Sequence, residues 1–126
     1  MGTLAKADPS ATRATVEAYL ESLKAGNDWQ HLLSDDVVFT SCTSPVRQIT
    51  GRERFVEATK RFYSMIESLE VRRLVVDGDR ACALTRYVLK PPAGSSFESD
   101  VAEIFRISDG KIATFDIYFD SAPYPK

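Results

Sequence analysis

Three side chains in this sequence combine reactive chemistry with apolar surroundings: Tyr19, Arg86 and Asp100. Tyr19 belongs to the run Val16, Tyr19, Leu20, Leu23, whose i, i+3, i+4, i+7 spacing puts the phenol on the apolar stripe of a helix. A buried Tyr generally finds a partner for its O–H, so it is a polar handle as a core residue or as a donor to a ligand. Asp100 stands beside Val101, Ala102, Ile104 and Phe105, in a run where strand propensity disfavours Asp. Three roles fit it: an acid or base facing a ligand, a residue at an exposed strand end, or the partner of a cation. Arg86 is the candidate cation, because folding the chain back across the Lys90–Ser96 loop brings the two residues roughly opposite each other. Such a pair would hold Asp100 ionised and could present a guanidinium to a ligand carboxylate or carbonyl. The other reading turns Arg86 outward with Arg72 and Arg73, on a solvated basic face.

Several chemistries lack their residues. A single histidine, His31, leaves little for zinc, and no HExxH, P-loop, GxGxxG or GxSxG occurs, so neither metal nor cofactor is expected. Cys42 and Cys82 form no CxxC motif, and Met1–Ser10 lacks the apolar core of a signal peptide. Both cysteines are therefore expected as buried thiols in a reducing cytoplasm. The net charge of −2 argues against a nucleic-acid partner. No apolar run approaches the roughly 20 residues of a membrane span.

The elements that must position these residues follow from pattern and punctuation. The chain has 126 residues, 44% hydrophobic and 27% charged, which is one globular domain's worth. Residues 1–9 read as a loose N-terminal segment and 10–126 as a single domain. Asp8-Pro9 starts a helix and Gly26-Asn27 closes it. A short second helix is predicted over Asp28–Leu33, a strand over Val37–Ser41, and a third helix near Arg52–Ile66 with Phe55, Val56, Thr59, Phe62 and Tyr63 on its stripe. From Leu69 the period falls to about 2. Strands are predicted over 69–76, 81–89, 97–107 and 111–119, with hairpin turns at Asp77-Gly78-Asp79 and Asp109-Gly110. Helices first and a meander after them predict an α+β fold with helices on one face of a curved sheet.

Four stretches then carry a family resemblance: the Tyr19–Gly26 helix end, Ser34-Asp35-Asp36-Val37, Ile49-Thr50-Gly51-Arg52-Glu53, and Phe105–Ile112 with Tyr118-Phe119-Asp120. In order and spacing the chain resembles the nuclear transport factor 2-like superfamily, which includes ketosteroid isomerase, limonene epoxide hydrolase and the SnoaL-like polyketide cyclases. The resemblance implies a cone-shaped fold with an apolar pocket at its open end. It also implies a homodimer through the outer sheet face, where Asp116, Tyr118 and Asp120 would lie.

Residue by residue, the resemblance puts Tyr19 at the isomerase's hydrogen-bonding Tyr and Asp100 at its second oxyanion-hole position. An ion pair with Arg86 conflicts with the protonated acid that this role needs. The isomerase's carboxylate base falls on Ser41, whose hydroxyl is too weakly basic to take a carbon-bound proton. The epoxide hydrolase's Asp–Arg–Asp set falls on Leu84, Arg86 and Ile117, so that set is gone. Both alignments turn Arg86 into the pocket, with Leu84 and Val88 beside it. The implied wall is Val16, Trp29, Phe39, Ser41, Phe55, Phe62, Tyr63, Leu84, Val88, Ala102, Phe115, Ile117 and Phe119.

The expected function is a small-molecule pocket for an apolar carbonyl compound, as a cofactor-independent isomerase, cyclase or dehydratase. Asp100 would be the acid or base, Tyr19 the donor and Arg86 the electrostatic partner. The alternative is a non-catalytic ligand-binding or assembly domain of the same fold.

Overall fold

Asp8 opens the first helix by accepting the Ser10 amide at 2.9 Å, and Pro9 occupies the first turn. This helix, α1 (Pro9–Ala25), closes at Gly26 with φ 72°, where the Gly26 and Asn27 amides return to the Leu23 and Ser22 carbonyls. Glycine takes this left-handed cap without a Cβ penalty. The buried face of α1 is Thr12, Val16, Tyr19, Leu20 and Leu23. The computed structural model describes residues 8–124, so the loose segment expected over 1–9 lies, through residue 7, outside the described residues.

The expected second helix is only a 3-10 turn, Gln30–Leu32. Asp28 accepts the Gln30 amide at 3.0 Å, and Leu33 already belongs to β1 (Leu33–Ser41), which leaves no room for a longer helix. β2 (Arg47–Thr50) pairs antiparallel with β1. α2 (Arg52–Ser64) buries Phe55 and Thr59. It stops short of the expected Ile66, because Ile66 pairs with Leu89 in the sheet and the Lys90 amide takes the Met65 carbonyl at 2.7 Å.

β3 (Ile66–Asp77), β4 (Arg80–Leu89), β5 (Phe97–Ser108) and β6 (Lys111–Phe119) form the predicted meander. At the second hairpin both central residues have positive φ, 53° at Asp109 and 74° at Gly110, as tight two-residue hairpins require. The sheet order is β2-β1-β6-β5-β4-β3, with β1 and β6 parallel and the other pairs antiparallel. Two helices thus pack on one face of a curved, six-stranded, mostly antiparallel sheet. Among the described residues no helix is long and apolar enough to cross a membrane.

Strand phase decides which residues share the helix side. On β4 the buried positions are Ala81, Ala83, Thr85, Tyr87 and Leu89; on β5 they include Ser99, Val101, Glu103, Phe105 and Ile107. Leu84, Arg86, Val88, Asp100 and Ala102 alternate with these and face away from the helices. This corrects the expectation that they turn into the pocket between the helices and the sheet. Because side chains alternate with period 2, a shift of one residue inverts a whole strand. Both phases of these strands carry apolar residues, and the phase that holds Tyr87 and Phe105 meets the helices. Cys42 and Cys82 are unpaired thiols, half-buried rather than fully buried as expected.

Candidate functional site

Between α2 and the inner sheet face lies a cavity of about 380 Å³. Its apolar wall includes Phe39, Phe62, Phe115, Ile117 and Phe119, and its polar groups are Ser41, Arg47, Thr59, Tyr63, Tyr87, Glu103 and Tyr124. Every strand except β3 contributes a residue to the lining. Phe39 and Ser41 come from β1, Phe115, Ile117 and Phe119 from β6, Val101 and Glu103 from β5, and Tyr87 from β4.

Glu103 is the chemical centre of this cavity. It is only 2% exposed. The Thr85 hydroxyl donates to Oε2 at 2.8 Å and the Tyr87 hydroxyl donates to Oε1 at 2.8 Å. Burial pushes the Glu103 carboxyl up to about 7, against these two hydrogen bonds, which favour the ionised form. A carboxyl poised near neutrality can take or give a proton at physiological pH.

The second polar group is a pair of phenols. The Tyr19 and Tyr63 hydroxyls meet at 2.6 Å, joining α1 to α2. Burial pushes both phenols above the ordinary tyrosine range, so both stay protonated at neutral pH. Tyr63 lines the cavity, while Tyr19 has no exposed surface and stands behind it. Aromatic rings hold the pair: Trp29 packs edge-on to Tyr63 at 4.9 Å between centroids, and Phe115 packs against Tyr19 at 5.7 Å. These contacts leave the hydroxyls little freedom, which is the condition for a preorganised donor.

The residues expected at the site divide three ways. Phe39, Ser41, Phe62, Tyr63, Phe115, Ile117 and Phe119 line the cavity. Val16, Trp29 and Phe55 belong to the core that backs it, with Tyr19. Arg86 and Asp100 form the expected pair, Nε to Oδ1 at 2.8 Å and Nη2 to Oδ2 at 3.0 Å, but on the outer sheet face. There the Arg86 guanidinium holds the Asp100 carboxyl below the usual carboxylate range, so Asp100 is an ionised surface group rather than a cavity acid. Leu84, Val88 and Ala102 share that outer face.

Sequence reasoning missed Glu103, Thr85, Tyr87, Arg47 and Tyr124. Glu103 had a readable signal. It falls in phase with Val101, Phe105 and Ile107, and a lone carboxylate within an apolar phase marks either a paired group or a site. Among the described residues no cluster of His, Cys, Asp and Glu is arranged to hold a metal ion.

A lateral cavity between helices and a curved sheet defines a class of small α+β domains, and comparison narrows it. A family model, the SnoaL-like domain, matches residues 16–115, and the chain belongs to that family. No curated protein matches the chain. Among solved structures it is similar to a candidate SnoaL-like polyketide cyclase from Jannaschia sp. CCS1, with TM-score 0.79, 14% identity and coverage of 99% of this chain and 100% of the other. It is similar to an LEH-like epoxide hydrolase from M. tuberculosis, with TM-score 0.77, 22% identity and coverage of 91% and 86%. A candidate ketosteroid isomerase from Kribbella flavida DSM 17836 follows, with TM-score 0.74, 24% identity and coverage of 95% and 85%. At these identities the likeness shows the nuclear transport factor 2-like fold, and function rests on the site.

Proposed function

We propose that this protein is a cofactor-independent acid–base enzyme acting on a small apolar carbonyl compound, with Glu103 as the group that moves the proton. The buried Glu103 carboxyl, held near neutrality at the wall of an apolar cavity, carries the reading. In this reading an ionised Glu103 oxygen takes a proton from the carbon next to the substrate carbonyl. The C–H electron pair becomes the enolate double bond, and the negative charge falls on the carbonyl oxygen. The Tyr63 O–H, backed by Tyr19, donates to that oxygen. Protonated Glu103 then returns its proton to another carbon, giving isomerisation, or to a departing β-hydroxyl, giving dehydration. Attack of the enolate carbon on a second carbonyl of the same substrate forms a C–C bond, and the resulting alkoxide takes the proton from Glu103, giving cyclisation. The apolar wall suits such substrates and strengthens the electrostatics by excluding water.

Deuterium incorporation into 2-tetralone in D₂O, followed by proton NMR, tests this reading. The expected result is acceleration over buffer, lost in Glu103→Gln and reduced about 10²-fold in Tyr63→Phe, typical of losing one proton-transfer group or oxyanion donor. Equal exchange in wild type and Glu103→Gln would overturn it.

One observation favours the second reading, a binding domain without turnover. Both Glu103 oxygens are already engaged by Thr85 and Tyr87, a satisfied network that can serve to hold shape. Ligand binding without exchange would select it.

We further propose a homodimer through the outer sheet face. Leu84 is 42% exposed, Tyr118 50% and Val75 55%, and Arg72, Arg73, Asp100 and Asp120 flank the Leu84–Tyr118 groove. An apolar patch with both charge signs at its rim suits a self-complementary contact.

A further inference from the structure

Four residues form one row across the sheet. Arg47 on β2 pairs with Ser41 on β1, Ser41 with Ile117 on β6, and Ile117 with Glu103 on β5. Register partners share a face, and all four line the cavity. The row is polarised, with Arg47 exposed at one end and Glu103 buried at the other. Strands lie about 4.8 Å apart, so three steps put the two Cα atoms about 14 Å apart along the sheet. Both side chains reach inward from these ends, and between them lie one hydroxyl and an apolar surface.

Among the described residues Arg47 is the one cation on the cavity wall, and it makes no ion pair. Its guanidinium fork is therefore unspent, and that fork matches a carboxylate bidentately. The charge order also sets direction. An ionised Glu103 repels an anion from the inner end, while Arg47 attracts it at the mouth.

We infer that the cavity takes amphipathic carboxylic acids, with the carboxylate on Arg47 and the apolar, carbonyl-bearing end directed at Glu103. The inference rests on the proposed use of this cavity and adds the charged end of the substrate. An edge-strand arginine with no ligand would explain its exposure, and the experiment separates the two.

The probes are phenylalkanoic acids of increasing chain length and their methyl esters, with binding measured calorimetrically and occupancy followed by NMR at Tyr63. The best acid should bind wild type about tenfold tighter than its ester, the scale of one charge-assisted hydrogen-bonded contact. Arg47→Gln should remove this preference, Arg47→Lys should keep part of it, and Arg54→Gln, outside the cavity, should keep all of it. Thermal unfolding confirms that each variant folds. Acids and esters that bind equally and perturb Tyr63 overturn the carboxylate anchor and leave the cavity reading standing. An acid preference that survives Arg47→Gln overturns the assignment to Arg47. Failure of every acid and ester to bind overturns both the anchor and the proposed use of the cavity.

Discussion

Tyr87 on β4 donates its phenolic O–H to Glu103 Oε1 on β5 at 2.8 Å, and neither side chain has more than 2% of its surface exposed. The contact sets two opposed effects on one carboxyl. The hydrogen bond favours the ion, and burial opposes it. Burial is the larger, which is why Glu103 titrates near neutrality.

Stability should therefore depend on pH through Glu103. Its folded value of about 7 lies above the ordinary 4.5, so the folded state binds a proton that the unfolded chain has already lost between these values. The contribution is fully present below about 4.5 and is lost as pH rises through about 7. The swing is on the order of 3 kcal/mol. Urea unfolding of wild type and Glu103→Gln at pH 5 and pH 8 checks this. Wild type should lose stability relative to the variant on going to the higher pH, and parallel behaviour would contradict the assignment.

The phenol pair should behave as a unit. Tyr63→Phe strips the buried Tyr19 hydroxyl of its partner, which typically costs about 1–3 kcal/mol. Replacing both tyrosines by Phe removes the orphan as well. The double variant should thus be less destabilised than the sum of the single variants, measured by denaturant unfolding.

Arg86 and Asp100 should couple weakly. The Asp100 side chain is 60% exposed, so water and salt screen the pair. Arg86→Met, Asp100→Leu and the double variant should give near-additive changes in unfolding midpoint, with the remaining coupling shrinking in high salt. Strong coupling that persists in salt would place the pair in a buried interface.

The outer face should govern assembly. Sedimentation at micromolar protein should give a dimer, and Leu84→Glu with Tyr118→Lys should give a monomer that keeps the native circular dichroism spectrum. A wild-type monomer at that concentration would remove the dimer proposal.

The elements were largely legible in the chain because their determinants are local. Asp8-Pro9 and Gly26 bound α1, Asp109-Gly110 makes its hairpin, and the stripe Val16, Tyr19, Leu20, Leu23 meets the core. The pairing of Arg86 with Asp100 was legible too, since register follows from where the hairpin folds back. Helix lengths were less so: the third predicted helix lost its end when Ile66 paired with Leu89, a partner distant in sequence.

Sequence by itself determined the α+β order, the turns and the family motifs, because caps, turn residues and alternation act over a few residues. Tertiary structure alone decided which phase of β4 and β5 faces the helices, and with it the site. Alternation specifies that Arg86 and Asp100 share one face and that Tyr87 and Glu103 lie on the opposite one, but not which face is inside. Apolar residues occupy both phases, Leu84 and Ile104 on one and Leu89 and Phe105 on the other. The choice came from packing across long sequence separations: Tyr87 against Phe62 on α2 at 5.9 Å and Phe105 against Tyr19 on α1 at 5.8 Å between ring centroids. Those aromatic contacts fix the phase that carries Glu103 into the cavity and leaves Asp100 in water.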